Sequence, residues 1–317
     1  MQLSNDRVTS IKDAFMHLLS IIMLYAGAIS FLVLVFQITN IKFPDILDFN
    51  GYNSYALENC ISLIRGALAF LIVTYPVYIV SFYFLKKSYE ASPEKKQFVL
   101  RKFLVYFTLF IAALIIVGNL IALLAGFLYG ELTLRFILKI LSIFFVAGST
   151  FGYYIYDLKD KHEKTLRYVA IMVSLVVLVF IILGFFFIGS PFNQRLRRID
   201  TEKRSSLENI SYNIDSYMYE KKALPESLEI IKNKYNTNIT DPQTQKEYTY
   251  EVIDKDNYKL CAEFNLPSIS KEYTDKYSLP ASQDIWEHDK GTVCFTKQVN
   301  IDPAFMKEGL ETAPIIN

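Results

Sequence analysis

Residues 168–204 read YVAIMVSLVVLVFIILGFFFIGSPFNQRLRRIDTEKR. The stretch from Tyr168 to Ile188 carries no charge, whereas the short run from Gly189 to Arg204 holds seven charged residues. A helix needs about 20 apolar residues to cross a bilayer core of ~30 Å. Tyr168–Ile188 is therefore read as a membrane span, and Gly189-Ser190-Pro191 as the point where the chain becomes water-soluble.

Four further stretches upstream meet the same length criterion. They run approximately Phe15–Ile38, Ile61–Leu85, Phe103–Tyr129 and Leu132–Tyr156. The first is too long for a signal peptide and no small-x-small site follows it, so it is read as a span. The split at Gly189 also divides the charge. Residues 1–189 hold 16 Lys/Arg and 11 Asp/Glu, and residues 190–317 hold 17 and 21. The net +1 of the whole chain thus hides a basic part and an acidic part. Near-neutrality argues against nucleic acid as a partner, and three cysteines are too few for a disulfide scaffold.

Basic residues in short loops set orientation. Arg7 and Lys12 precede the first span. Lys86, Lys87, Lys95, Lys96, Arg101 and Lys102 join the second to the third, and Lys159, Lys161, Lys164 and Arg167 join the fourth to the fifth. These segments alternate onto one side, expected to be cytoplasmic. The first loop sets Lys42 against Asp45, Asp48 and Glu58, and the third is a tight Gly130-Glu131 turn; both are expected outside. Five spans then carry the C-terminal part outside. Arg195, Arg197, Arg198, Lys203 and Arg204 oppose this, but the earlier alternation outweighs one segment.

Small residues recur every four positions at Gly118, Ala122, Gly126 and Gly130, and again at Gly148 and Gly152. Such stripes let helices approach closely, either within one bundle or between two copies. Polar residues inside lipid raise a functional question. Glu131, Arg135 and Lys139 are spaced to share one face of the fourth helix. With Arg65 and Asn119 they define a candidate outer-leaflet cluster in helices 2–4, in which Glu131 compensates Arg135 or Arg65. The alternative is that the basic side chains snorkel to headgroups and Asn119 bonds a neighbouring helix. Pro76 is expected to kink the second span.

The run Gly130-Glu131-Leu132-Thr133-Leu134-Arg135-Phe136, then Lys139, then Phe151-Gly152-Tyr153-Tyr154, carries a family resemblance. With Tyr75-Pro76-Val77-Tyr78 upstream, residues 10–157 resemble the bacterial membrane family known as domain of unknown function 5671. The resemblance implies a multi-span inner-membrane domain, found also in small-genome candidate phyla, and brings no activity, cofactor or catalytic residue. Asn119 stands where the family pattern leads us to expect an acidic residue.

Beyond Ser190, Leu207, Ile210, Ile214 and Tyr217 fall at helical spacing and predict an amphipathic helix over about Arg195–Lys222. Leu224-Pro225 stops it, and Pro225-Glu226-Ser227 opens a short helix ending near Lys234. Asp241-Pro242 marks a turn. Glu247–Ile253, Tyr258–Phe264 and Thr292–Gln298 read as strands, the first two joined by an Asp254–Asn257 hairpin. A long loop over 265–291 is expected to be anchored by Trp286, with His288 and Asp289 solvated beside it, and residues 301–317 to be a disordered tail. The order of these elements behind a hydrophobic helix resembles the globular half of type IV pilins and secretion pseudopilins, over about residues 168–298. Four preceding spans and the absent cleavage signal argue against a processed, polymerising pilin.

Cys261 and Cys294 fall in adjacent expected strands. A disulfide there would close a loop of about 30 residues, worth roughly 3 kcal/mol; the alternative is two small buried residues. Cys60, at the outer membrane edge, has no evident partner. His17, His162 and His288 are expected on different sides of the membrane and cannot share a metal. No phosphate-binding glycine loop, HExxH or GxSxG motif is present.

The expected protein is thus an all-α membrane bundle of five helices (1–189), followed by a small α+β pilin-like extracytoplasmic domain (190–300). It is read as a non-enzymatic protein of the bacterial inner membrane, without cofactor or metal. Its exported domain binds an envelope partner, and Gly118, Ala122, Gly126 and Gly130 offer a route to self-association. The rival is a channel or transporter built on the outer-leaflet cluster.

Overall fold

The computed structural model describes residues 2–43, 54–91, 99–158, 163–272 and 285–299. The expected tail and residues 273–284 of the expected loop lie outside them, as do His162, Asp45, Asp48, Lys95, Lys96, Lys159 and Lys161. The chain divides into two compact units, Met1–Gly189 and Ser190–Asn317.

Among the described residues the first unit comprises five helices: α1 (Gln2–Lys42), α2 (Ser54–Ala91), α3 (Val99–Tyr129), α4 (Leu134–Leu158) and α5 (Glu163–Ile188). Each contains a segment long and apolar enough to cross a membrane. All five run beyond the expected apolar stretch at one or both ends, because polar flanks extend a helix freely once its backbone leaves the lipid. α2 continues through Pro76. Leu34 and Ile41 of α1 and Ile61, Ile64 and Leu71 of α2 are buried where helices meet. The outward faces carry large apolar residues, among them Phe70, Phe110, Leu124, Phe127, Met172 and Phe186. A water-soluble protein does not expose apolar surface on this scale, and a lipid-facing one requires it.

The α3–α4 turn is built from its sequence. Gly130 takes a φ of +73°, open to glycine without strain. The Glu131 N–H donates back to the Gly126 carbonyl (2.8 Å). Thr133 then starts α4, its hydroxyl accepting from the Phe136 N–H at 3.2 Å.

The second unit comprises α6 (Pro191–Lys221), α7 (Leu228–Tyr235), β1 (Thr249–Val252), β2 (Asn257–Phe264) and β3 (Gly291–Gln298). Ser190 caps α6 by accepting from the Asn193 N–H (3.2 Å), and Pro191 opens the helix, where its missing N–H costs nothing. The strands form one antiparallel sheet in the order β1-β2-β3. Leu207, Ile210 and Ile214 of α6 pack with Ile231, Tyr258, Leu260, Phe264, Trp286 and Phe295 into a single core. These are the stripe, the strands and the loop anchor that the sequence predicts. Asp241 makes the expected turn by accepting from the Gln243 and Thr244 N–H groups.

Candidate functional site

The residues of the expected outer-leaflet cluster are placed as follows. Asn119 is buried, and its amide donates to the Ile140 carbonyl of α4 at 2.9 Å. It works as a bond between helices, one of the two readings the sequence leaves open. Arg135 and Lys139 lie one turn apart on α4. The Lys139 ammonium sits 5.7 Å from the centre of the Phe36 ring of α1. Cys60 is a free thiol. Glu131 corrects the expectation: it precedes α4, so it does not share that helix's face. It is exposed, and among the described residues its carboxylate pairs with neither Arg135 nor Arg65. Arg65 is likewise exposed.

The small-residue stripe also divides. A Cβ on Gly126 would stand 2.6 Å from the Phe136 ring, so this glycine admits α4 to α3. Gly118, Gly148 and Gly152 meet nothing within 4 Å, Ala122 is exposed, and Gly130 lies past the end of α3. Among the described residues a further close approach lies outside both stripes, where Gly184 of α5 packs against Leu68 of α2.

The sequence does not single out the densest polar contact of this unit, at the end of the bundle bearing the N-terminus. His17 of α1 and Tyr89 of α2 share a hydrogen bond, Nε2 to Oη at 2.8 Å. The Arg101 guanidinium of α3 lies 5.1 Å over the Tyr89 ring and donates to Asp157 Oδ2 of α4 at 2.7 Å. His17 and Arg101 are buried, and Asp13 acts on His17 from one turn earlier. One polar network therefore joins four helices. Its members are 72 and 56 residues apart in the pairs that bond. Each reads singly as a loop charge or a stray aromatic, and only knowledge of which helix ends meet would have found them.

In the second unit Cys261 and Cys294 are directly opposed in the β2–β3 register and form a disulfide, with Cα atoms 4.0 Å apart. Trp286 is buried, and the Lys297 ammonium stands 3.8 Å over its ring. His288 is not solvated as expected. It is buried and stacked on Phe264 at 3.6 Å, because the loop turns its ring into the core. Asp289 is exposed and pairs with Lys271.

The basic cluster after the fifth span is largely engaged within this unit. Lys203 is 1% exposed, pairs with Asp241 at 3.2 Å and donates to the Glu263 carbonyl. Arg197 pairs with Glu272 and donates to the Pro267 carbonyl, and Arg204 pairs with Glu208. Asp200, also buried, accepts from the Asn265 and Leu266 N–H groups. Burial pushes the Tyr248 hydroxyl up to about 12 and raises those of Tyr250 and Tyr258.

Residues 13–154 match the family described as domain of unknown function (DUF5671), a little under half of the chain. That match spans α1 to most of α4, with His17, Tyr89 and Arg101 inside it and Asp157 just beyond. No curated protein and no solved structure matches the chain.

Proposed function

We propose that this is a multi-pass protein of the bacterial inner membrane whose second unit stands on the extracytoplasmic side and binds an envelope partner, without enzymatic activity. The observation that carries this reading is the Cys261–Cys294 disulfide. Disulfides persist in oxidising compartments and are rare in the cytosol. The basic loops between spans support the same orientation. So do the partners of Arg197, Lys203 and Arg204, since charges engaged inside a folded unit are not free to hold a loop at the cytoplasmic face.

The second unit, a long helix followed by a short one and an antiparallel sheet, is read as a pilin-like domain adapted as a membrane-anchored module. Tyr219, Val252, Ile253 and Ile285 are apolar or aromatic residues left exposed on it and available to a partner. The bond between Asn119 and Ile140 favours this anchor reading over an outer-leaflet conduction path.

The test is affinity isolation of the full-length protein from native membranes after mild crosslinking. The reading expects an envelope protein to co-purify with the wild type and to be lost when Ile285 and Tyr219 are replaced by Asp. Recovery of the protein alone would count against it.

A further inference from the structure

The two aromatic motifs of the sequence, Tyr75-Pro76-Val77-Tyr78 and Phe151-Gly152-Tyr153-Tyr154, come together beside the Arg101–Asp157 pair. Their rings form a continuous wall from α2 to α4. Tyr75 to Tyr78 is 6.5 Å, Tyr78 to Phe82 is 6.1 Å, Phe82 to Tyr153 is 5.8 Å and Tyr153 to Tyr154 is 5.5 Å between centroids. The last two pairs meet edge to face, at 73° and 87°, which leaves the far face of each outer ring uncovered by its partner.

Polar capacity in this wall is unused. Among the described residues, none of the hydroxyls of Tyr78, Tyr153 and Tyr154 has a hydrogen-bond partner, although Tyr75 bonds Ser174 (2.7 Å). Asp157 follows Tyr153 and Tyr154 by four and three residues on α4, so the carboxylate lies about one helical turn from both phenols on the same side of the helix. Arg101 engages Asp157 Oδ2, and no described residue bonds Oδ1. Tyr153 and Tyr154 lie four to five residues before the end of α4, about 6–8 Å along the helix at 1.5 Å per residue. None of the three hydroxyls is fully buried, so each is open to a donor or acceptor from outside the protein.

The chemistry narrows what fits. With Oδ2 of Asp157 taken by Arg101, Oδ1 is left to accept, which calls for a hydrogen-bond donor. Among the described residues no group of three or more His, Cys, Asp or Glu is placed to hold a metal ion. Perpendicular aromatic faces next to a carboxylate suit an ammonium group, held by cation–π attraction and by hydrogen bonds to phenol oxygens. The network already uses this contact once, with the Arg101 guanidinium over Tyr89.

We propose that Tyr78, Tyr153, Tyr154 and Asp157 form a binding site for an organic ammonium group, either a free amine or the headgroup of an aminophospholipid. The experiment uses the full-length protein in nanodiscs of phosphatidylglycerol, which carries no amine. Thermal midpoints are read on adding choline or ethanolamine, and separately on replacing a third of the lipid by phosphatidylethanolamine. The site predicts a rise in midpoint in at least one arm. A rise with soluble amine alone assigns a free ligand, and a rise with the lipid alone assigns a headgroup. Tyr153→Phe and Tyr154→Phe are the decisive variants, because they keep the rings and remove only hydroxyls without protein partners. They are expected to melt no lower than wild type in amine-free discs and to lose most of the amine-dependent rise. Asp157→Asn should lose it as well. No rise in either arm, or a full rise in the double Phe variant, would overturn the proposal.

Discussion

The two units of this chain solve the same problem in opposite solvents. The membrane unit turns its large apolar residues outward, with Phe110, Leu124 and Met172 exposed. Polar bonds tie its helices together at His17–Tyr89, Arg101–Asp157 and Asn119–Ile140. The second unit gathers Leu207, Ile210, Ile214 and Trp286 inward. Yet it too buries charge, at Lys203–Asp241 and Asp200. The solvent decides where apolar surface goes. It does not change the rule that a buried polar group needs a partner.

The comparison breaks most visibly at Lys203. Lys203→Ala leaves Asp241 buried without its cation and should cost the second unit about 3–5 kcal/mol. Trp286, the only tryptophan, reports on that unit alone, so a fluorescence-monitored melt of the full-length protein isolates the effect. The matching change in the membrane unit is gentler. Asn119→Leu should cost about 1–2 kcal/mol, the range of a hydrogen bond between membrane helices in model peptides. Helix loss on detergent denaturation measures it, and the Trp286 signal should not move.

Glycine sharpens the contrast within the membrane unit. Gly126→Ala forces a methyl onto the Phe136 ring and should destabilise the α3–α4 pair by about 1–3 kcal/mol. Gly118→Ala meets nothing and should be neutral or stabilising in the same denaturation assay. Equal effects would mean that the open face of α3 is covered by another chain.

The smallest expected effect lies in pH. Burial raises the hydroxyl of Tyr248, to about 12, and those of Tyr250 and Tyr258 above their ordinary value of 10. A raised value means that folding favours the neutral phenol. This contribution is complete below pH 10 and is lost as pH rises through the folded-state values. Trp286 fluorescence should therefore report loosening of the second unit above pH 10, and Tyr248→Phe should move its onset upward.

Much of the fold was legible because it rests on local pattern. Apolar runs of span length located the five membrane helices, and helical spacing at Leu207, Ile210 and Ile214 gave the core face of α6. The strand pattern put Cys261 and Cys294 in adjacent expected strands, and the β2–β3 register sets them opposite each other. What stayed hidden rests on contacts distant in sequence. His17 and Arg101 find partners 72 and 56 residues away. Lys203 sits in a basic run that resembles a topology signal, and only the folded unit shows it held by Asp241 and Glu263. Glu131 misled because spacing counts residues without knowing that α4 begins at Leu134.

The central claim is that the second unit folds outside the cytoplasm, with its strands tied by Cys261 and Cys294. The most direct test is the thiol state in intact bacterial cells, trapped by acid and read by gel shift with a maleimide-polyethylene glycol under denaturing conditions. The account predicts one reactive thiol before reduction, Cys60, and three after it. Three reactive thiols without any reductant would contradict it.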